Sequence, residues 1–89
     1  MSKTIEIYVI ERDKMLEKYS VKALVKFVEE YYVKGYLSDT FYKDFMLASD
    51  LVKKLTLCKM IMNCKRISQK TKEKARKWLE KNKYSPNLY

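Results

Sequence analysis

Hydrophobic residues spaced three and four apart run through the middle of the chain, a pattern typical of amphipathic helices. The segment 21–34 shows this pattern most clearly. Ser20 precedes the segment, where its hydroxyl suits an N-cap, and Gly35 follows it, where a left-handed C-terminal cap is favourable. A helix is therefore predicted over 21–34. Its hydrophobic stripe consists of Val21, Leu24, Val25, Val28 and Tyr32.

The same spacing continues from residue 41 to residue 62, over about six helical turns. Ser38 or Asp39 is placed to cap this second helix, and no glycine or proline interrupts it. The pattern predicts one helix that ends near 63–65, with Thr56 marking the place for any bend or short turn. Its hydrophobic positions are Phe41, Phe45, Ala48, Leu51, Val52, Leu55, Cys58 and Met62.

A last helix is predicted to open at Ser68 and to be basic on both flanks. The residues expected to face inward are Thr71, Ala75, Trp78 and Leu79. Four lysines fall on a second stripe, about 90 to 120 degrees around the helix: Lys70, Lys74, Lys77 and Lys81. The opposite flank carries Lys72, Arg76 and Lys83, and residues 83–89 are expected to form a tail.

The N-terminal segment leaves two alternatives open. Thr4–Ile10 is rich in β-branched residues and alternates as a strand does, although a single strand needs a partner. The competing prediction is a helix with Ile5, Tyr8 and Val9 on one face. Residues 11–19 are expected to form a short helical region. The predicted fold is a mainly α-helical single domain, 1–89, of three to four helices with the short strand as an option.

Composition narrows the class of protein. The chain has 89 residues, of which 47% are hydrophobic, enough for one small domain with a core. No stretch approaches the roughly 18 to 20 apolar residues of a membrane span, and the N-terminus lacks the features of a secretory signal. We therefore expect a cytoplasmic protein, in the host cytoplasm if the protein is viral, with no membrane partner.

Catalytic and metal-binding classes find little support in the residue types. The chain has no histidine and one glycine, so it lacks an imidazole acid or base and a glycine-rich phosphate loop. Cys58 and Cys64 lie six residues apart, which does not match paired zinc ligands, and we expect reduced thiols with at least one in the core. The carboxylates are interpreted as solvated helix charges. We expect no enzyme, cofactor or metal.

Charge is concentrated at the C-terminal end. Residues 1–50 contain 8 Lys/Arg against 9 Asp/Glu, whereas residues 51–89 contain 12 against 2, which gives −1 and +10 and sums to the net charge of +9. Such a local positive potential favours polyanions, and Lys and Arg on one rigid helix contact several phosphates. The predicted nucleic-acid-binding residues are Lys65, Arg66, Lys70, Lys74, Arg76, Lys77 and Lys81.

The two arginines are the candidates for bidentate contacts within that set, because the planar guanidinium matches phosphates and guanine edges. The main competing interpretation is a solubilising face on a lysine-rich protein, which the balanced N-terminal half argues against. An anionic membrane surface ranks lower, since the helix lacks a broad exposed hydrophobic face.

Tyrosine is frequent, with eight residues. Two interpretations are open. The rings form a surface that stacks on bases or anchors a protein partner, or they complete a small core while their hydroxyls reach water. We prefer the core for Tyr32 and Tyr42 and expect exposure for Tyr31, Tyr36 and Tyr84.

Residues 66–87, RISQKTKEKARKWLEKNKYSPN, resemble the end of a lactose-repressor-type DNA-binding domain. The resemblance implies a helical DNA-binding module. The family's base-reading residues are not carried over, because the preceding CKMIMNCKR is too short and too apolar for the usual recognition helix. The matching residues are Ile67, Ser68, Thr71, Lys72, Lys74, Leu79, Tyr84, Pro86 and Asn87.

A second segment, VKFVEEYYVKGYLSDTFYKDFMLASDLVKKL, is similar to the first two helices of the arm-type domain that precedes the catalytic domain of tyrosine recombinases. That resemblance also implies DNA binding, without catalytic residues. The sequence thus predicts a small basic regulatory protein of phage, plasmid or mobile-element type that binds nucleic acid, DNA more readily than RNA. The alternative is an interaction module or inhibitor that docks on an acidic host protein, and either could act as a homodimer.

Overall fold

The fold, seen in a computed structural model, is a bundle of α-helices. The structure describes residues 2–84, with side chains described from residue 6 onward. The mainly helical class is confirmed, but this part of the chain holds five helices rather than three to four, and no strand. They are α1 (Ser2–Glu17), α2 (Val21–Val33), α3 (Asp39–Leu47), α4 (Asp50–Asn63) and α5 (Gln69–Lys81).

Serine hydroxyls cap the N-termini of α2 to α5. Each accepts a hydrogen bond from the backbone N–H three residues later and so satisfies one of the free donors of the first turn. The caps at Ser20, Ser38 and Ser68 confirm the predicted starts. Gly35 follows α2 with φ of +85°, the left-handed conformation expected of a C-terminal cap. The fourth cap, Ser49, was not predicted.

The predicted strand at Thr4–Ile10 is wrong, because these residues belong to α1, which continues without a break to Glu17. Its competing alternative, a helix, is what the structure shows. Packing explains the outcome: Tyr8 lies edge-on to the ring of Tyr31, with ring centroids 4.9 Å apart. The weak strand preference of β-branched residues yields to such tertiary contacts, and a lone strand would lack hydrogen-bond partners.

The single helix predicted from the cap at Ser38 or Asp39 to residues 63–65 is also wrong. The chain breaks at Ala48 and Ser49, both of which have extended backbone angles, and α4 starts afresh at Asp50. The site expected for a bend, around Thr56, is regular helix. Because Ala48 continues the hydrophobic spacing, the spacing alone does not predict the break. Ser49, as an N-cap residue, does indicate that a new helix begins there.

The core lies mainly between α1, α2, α4 and α5, and α3 contributes only Phe45 to it. Leu16 of α1, Leu24 of α2, and Leu57 and Ile61 of α4 are almost completely buried in it. Complete burial of one such side chain stabilises the fold by about 1.5–3 kcal/mol. The other buried core residues are Met15, Phe27, Val28, Tyr31, Cys58, Cys64, Ile67, Ala75 and Leu79.

Candidate nucleic-acid interface

Helix α5 presents a row of exposed lysines on its outer side. The members are Lys70, Lys74, Lys77 and Lys81. At 100° per residue they fall within an arc of about 60° and extend over about 16 Å of helix axis. None of them forms an ion pair with a carboxylate of the described residues. We call these four residues the lysine stripe. Its ammonium groups are free to meet an external anion.

The inner side of α5 fixes the direction of the lysine stripe. Ala75 and Leu79 are fully buried, and the partly buried Trp78 packs at the edge of the core, as the sequence predicted. A further contact comes from the turn between α1 and α2, where the Tyr19 hydroxyl donates to the backbone carbonyl of Lys74 at 3.2 Å. Because Ala75 and Leu79 face the core, the lysine stripe faces outward, and the Tyr19 contact ties α5 to the turn between α1 and α2.

Arg76 lies away from the lysine stripe and is engaged within its own helix. Its guanidinium donates two hydrogen bonds to the Glu73 carboxylate at 2.7 and 2.8 Å and a third to Glu80 at 3.3 Å. The hydrogen bond to Glu73, together with the charges of Glu73 and Glu80, raises the pKa of Arg76 above its ordinary value. With up to three of its five N–H donors used within the helix, Arg76 is less free for a bidentate phosphate contact than the sequence alone suggests.

Lys65 and Arg66 are exposed in the turn between α4 and α5. The Arg66 Nε lies 4.0 Å from the carboxylate of Asp13, and the Arg66 side chain is 68% exposed. The turn is held to α1 by the Cys64 thiol, which donates to Asp13 at 3.0 Å. Lys65 is therefore fully available to a ligand, whereas Arg66 faces a carboxylate that partly offsets its charge.

Asp13 is the single buried charged residue of the described side chains. Desolvation acts to raise the pKa of this carboxyl group, but the hydrogen bonds from Cys64 and Arg12, with the charges of Arg12 and Arg66, outweigh it. The net result is a pKa below the ordinary value. Asp13 thus stays ionised and serves as an anchor between α1 and the turn before α5.

Both cysteines are buried and free. Burial raises the pKa of the Cys58 and Cys64 thiols, so both stay protonated at neutral pH. This agrees with the prediction of reduced thiols in the core. Among the residues that the structure describes, no three side chains of the ligating types come together to hold a metal ion.

The tyrosines mostly serve packing. Tyr31 was expected to be exposed but is 1% exposed, because its ring stacks on Phe27 at 4.3 Å and its hydroxyl donates to Glu11. Tyr36 is exposed as predicted. Tyr32 and Tyr42 stack on each other at 4.0 Å and are partly buried.

One aromatic pair borders the lysine stripe. The Trp78 and Tyr84 rings are nearly parallel, with centroids 6.2 Å apart, and both residues are partly buried. Trp78 stands about 40° around α5 from Lys74, between the lysine stripe and the buried face. The hydrophobic pattern predicts Trp78 only for the inward face, although its position on the helix also indicates this border.

Comparison with family models, curated proteins and solved structures gives no match. The two family resemblances therefore stay predictions. Upstream of the first resemblance, residues 50–57 (DLVKKLTL) all belong to the continuous helix α4. The turn before α5 occupies residues 64–68. Pro86 and Asn87, like most of the predicted tail 83–89, lie outside the described residues. No helix in the described range 2–84 has both the length and the apolar character to cross a membrane.

Proposed function

We propose that this protein binds nucleic acid, DNA in preference to RNA, through the lysine stripe of α5, with Lys65 and Arg66 at its N-terminal end. The observation that carries the proposal is the segregation of charge on α5. Glu73 and Glu80 are engaged by Arg76 on one flank, while the four lysines of the stripe have no such partner. On α5 the charged pairs therefore lie on one flank, and the lysines without a carboxylate partner lie on another.

The chemistry of the stripe favours phosphates over bases. Lysine ammonium groups are point charges without the planar geometry that reads a base edge, and the arginine of α5, Arg76, lies on another flank and is paired with Glu73. Each phosphate contact releases condensed counterions, so affinity falls as salt rises. The proposed activity is therefore sequence-independent or weakly specific binding, suited to a regulatory factor of phage or mobile-element type.

Charge reversal of the stripe tests the proposal. We expect K70E/K74E/K77E to lose roughly 100-fold in affinity for a duplex at about 0.1 M salt, because three phosphate contacts become repulsive. Lys and Glu have similar helix propensities and all three positions are exposed, so the circular dichroism of the variant should match that of the parent. A gel-shift or filter-binding titration measures the loss.

The matched control changes three lysines on α2, α3 and α4: K22E/K43E/K59E has the same net charge as the stripe variant. It should bind within a few-fold of the parent protein. Equal losses in both triple variants would mean that bulk charge alone matters, and unchanged binding of the stripe variant would eliminate the stripe as the interface.

A second candidate function, docking on an acidic protein, is favoured by exposed apolar side chains on α3 and on the first turn of α4. Leu47 is 86% exposed, and Phe41, Leu51 and Val52 are each close to half exposed. Hydrophobic side chains of this kind contribute to protein contacts rather than to phosphate contacts. A pulldown with and without nuclease separates the two functions: an acidic partner that survives nuclease supports docking, whereas partners lost on nuclease treatment support nucleic-acid binding.

A further inference from the structure

An open groove of about 400 Å³ runs between α1 and α2. Four lysines line it, Lys14 and Lys18 from the α1 side and Lys26 and Lys34 from the α2 side. The carboxylates in its lining are Glu11 and Glu30. The lining therefore carries four positive against two negative charges, a net of +2.

The positive charge of this groove is a product of folding. Residues 1–50 as a whole carry a net charge of −1, yet most of their carboxylates do not line the groove. Within the groove Glu11 already accepts from the Tyr31 hydroxyl and lies 4.0 Å from the Lys34 Nζ. That leaves Lys14, Lys18 and Lys26 opposed by Glu30 alone, so an incoming anion meets three available ammonium groups.

One residue, Tyr19, links the Lys18 end of the groove to α5. Lys18 is followed directly by Tyr19, whose hydroxyl donates to the backbone carbonyl of Lys74 in the stripe. The Lys54 Nζ lies 3.7 Å from the centroid of the Tyr19 ring, which adds one more cation at the same junction. Tyr19 thus lies between Lys18 at the end of the groove, Lys54 of α4 and the backbone of Lys74 in α5.

We infer that the phosphate backbone of a bound nucleic acid continues from the lysine stripe past Tyr19 and Lys54 into the groove between α1 and α2. This inference rests on the proposed function and adds a second contact region to it. The stripe alone extends over about 16 Å, which corresponds to about five base pairs at 3.4 Å each. A ligand that also occupies the groove must be longer than that, so the inference predicts that affinity depends on ligand length.

The test uses a groove variant with one substitution on each wall, K18Q/K26Q, and a control with the same charge, K43Q/K59Q. Fluorescence anisotropy with labelled DNA measures the binding constant at several salt concentrations, for a hairpin of about 6 base pairs and a duplex of about 20 base pairs. On the longer duplex, the slope of log K against log salt should become shallower by about 2 in the groove variant, because each lost phosphate contact removes about one unit. The slope should not change on the short hairpin, nor in the control on either ligand.

The outcomes separate this inference from the proposed function. If K18Q/K26Q leaves the long-duplex slope unchanged, or alters both ligands equally, the groove is not a continuation of the interface. In that event the stripe stands as long as K70E/K74E/K77E still loses binding. If neither the stripe variant nor the groove variant changes binding, both the proposed function and the inference are overturned.

Discussion

Asp13 shows what one buried carboxylate contributes to this fold. It joins α1 to the turn that precedes α5 by accepting a hydrogen bond from the Cys64 thiol, and it also accepts from the Arg12 guanidinium of its own helix. Its pKa lies below the ordinary carboxyl value in the folded protein. A lowered folded-state pKa means that the stabilisation is present above the pKa of the unfolded chain, near 3.9, and is lost as the pH falls through the folded-state pKa.

The predicted consequence is a loss of stability in acid that depends on this residue. The D13N variant should be less stable than the parent at pH 7 by about 1–3 kcal/mol, because the Arg12 and Cys64 donors lose a charged acceptor. The difference between the two proteins should begin to shrink below about pH 4, where the unfolded parent chain takes up a proton at this carboxyl group, and should be smallest below the lowered pKa of the folded protein. Urea unfolding at a series of pH values measures this, and a difference that is constant with pH would contradict the assigned role.

At the scale of the helices, sequence periodicity and capping carry different information. Periodicity predicted α2 and α5, and the lysine stripe follows from the same 100° rotation. It placed Ala75 and Leu79 on the buried face of α5, but on α2 it identified only Leu24 and Val28 and missed the buried Phe27 and Tyr31. It missed the division between α3 and α4, because Ala48 continues the hydrophobic spacing across the break. The Ser49–Asp50 pair, a cap followed by an acidic first turn, was the available signal.

The Ser49 cap can be tested directly. S49A should lower the free energy of unfolding by about 1 kcal/mol, because the Val52 N–H loses its acceptor, whereas S49D should be close to neutral. The midpoint of urea unfolding reports the change. A destabilisation by S49D as large as that of S49A would indicate that Ser49 matters for packing and not as a cap.

The intrahelical pairing of Arg76 was also accessible from the sequence. Glu73 and Glu80 stand three residues before and four residues after it, the spacings at which side chains on a helix meet. The groove between α1 and α2 was not accessible in this way. The groove combines lysines of two helices whose relative placement depends on tertiary packing. The net charge of −1 over residues 1–50 also gives no indication of a positively charged site there.

At the scale of the whole molecule, folding converts a chain with one basic end into a body with a directed cationic surface. The buried face of α5 turns the lysine stripe outward, and Tyr19 connects that helix to the lysine-lined groove. Carboxylates near the basic part are engaged by Arg76 or buried as Asp13. The excess positive charge, +9 over the whole chain, is therefore concentrated on one region of the surface and is not spread evenly over the protein.

The most direct test of this account counts the phosphate contacts of the lysine stripe. The neutralising variant K70Q/K74Q/K77Q and its control K22Q/K43Q/K59Q have equal net charge, and the quantity to measure is the slope of log K against log salt on a duplex of about 20 base pairs. We predict that the slope becomes shallower by about 3 in the stripe variant and stays at the parent value in the control. The same slope in the stripe variant as in the parent protein would contradict the account.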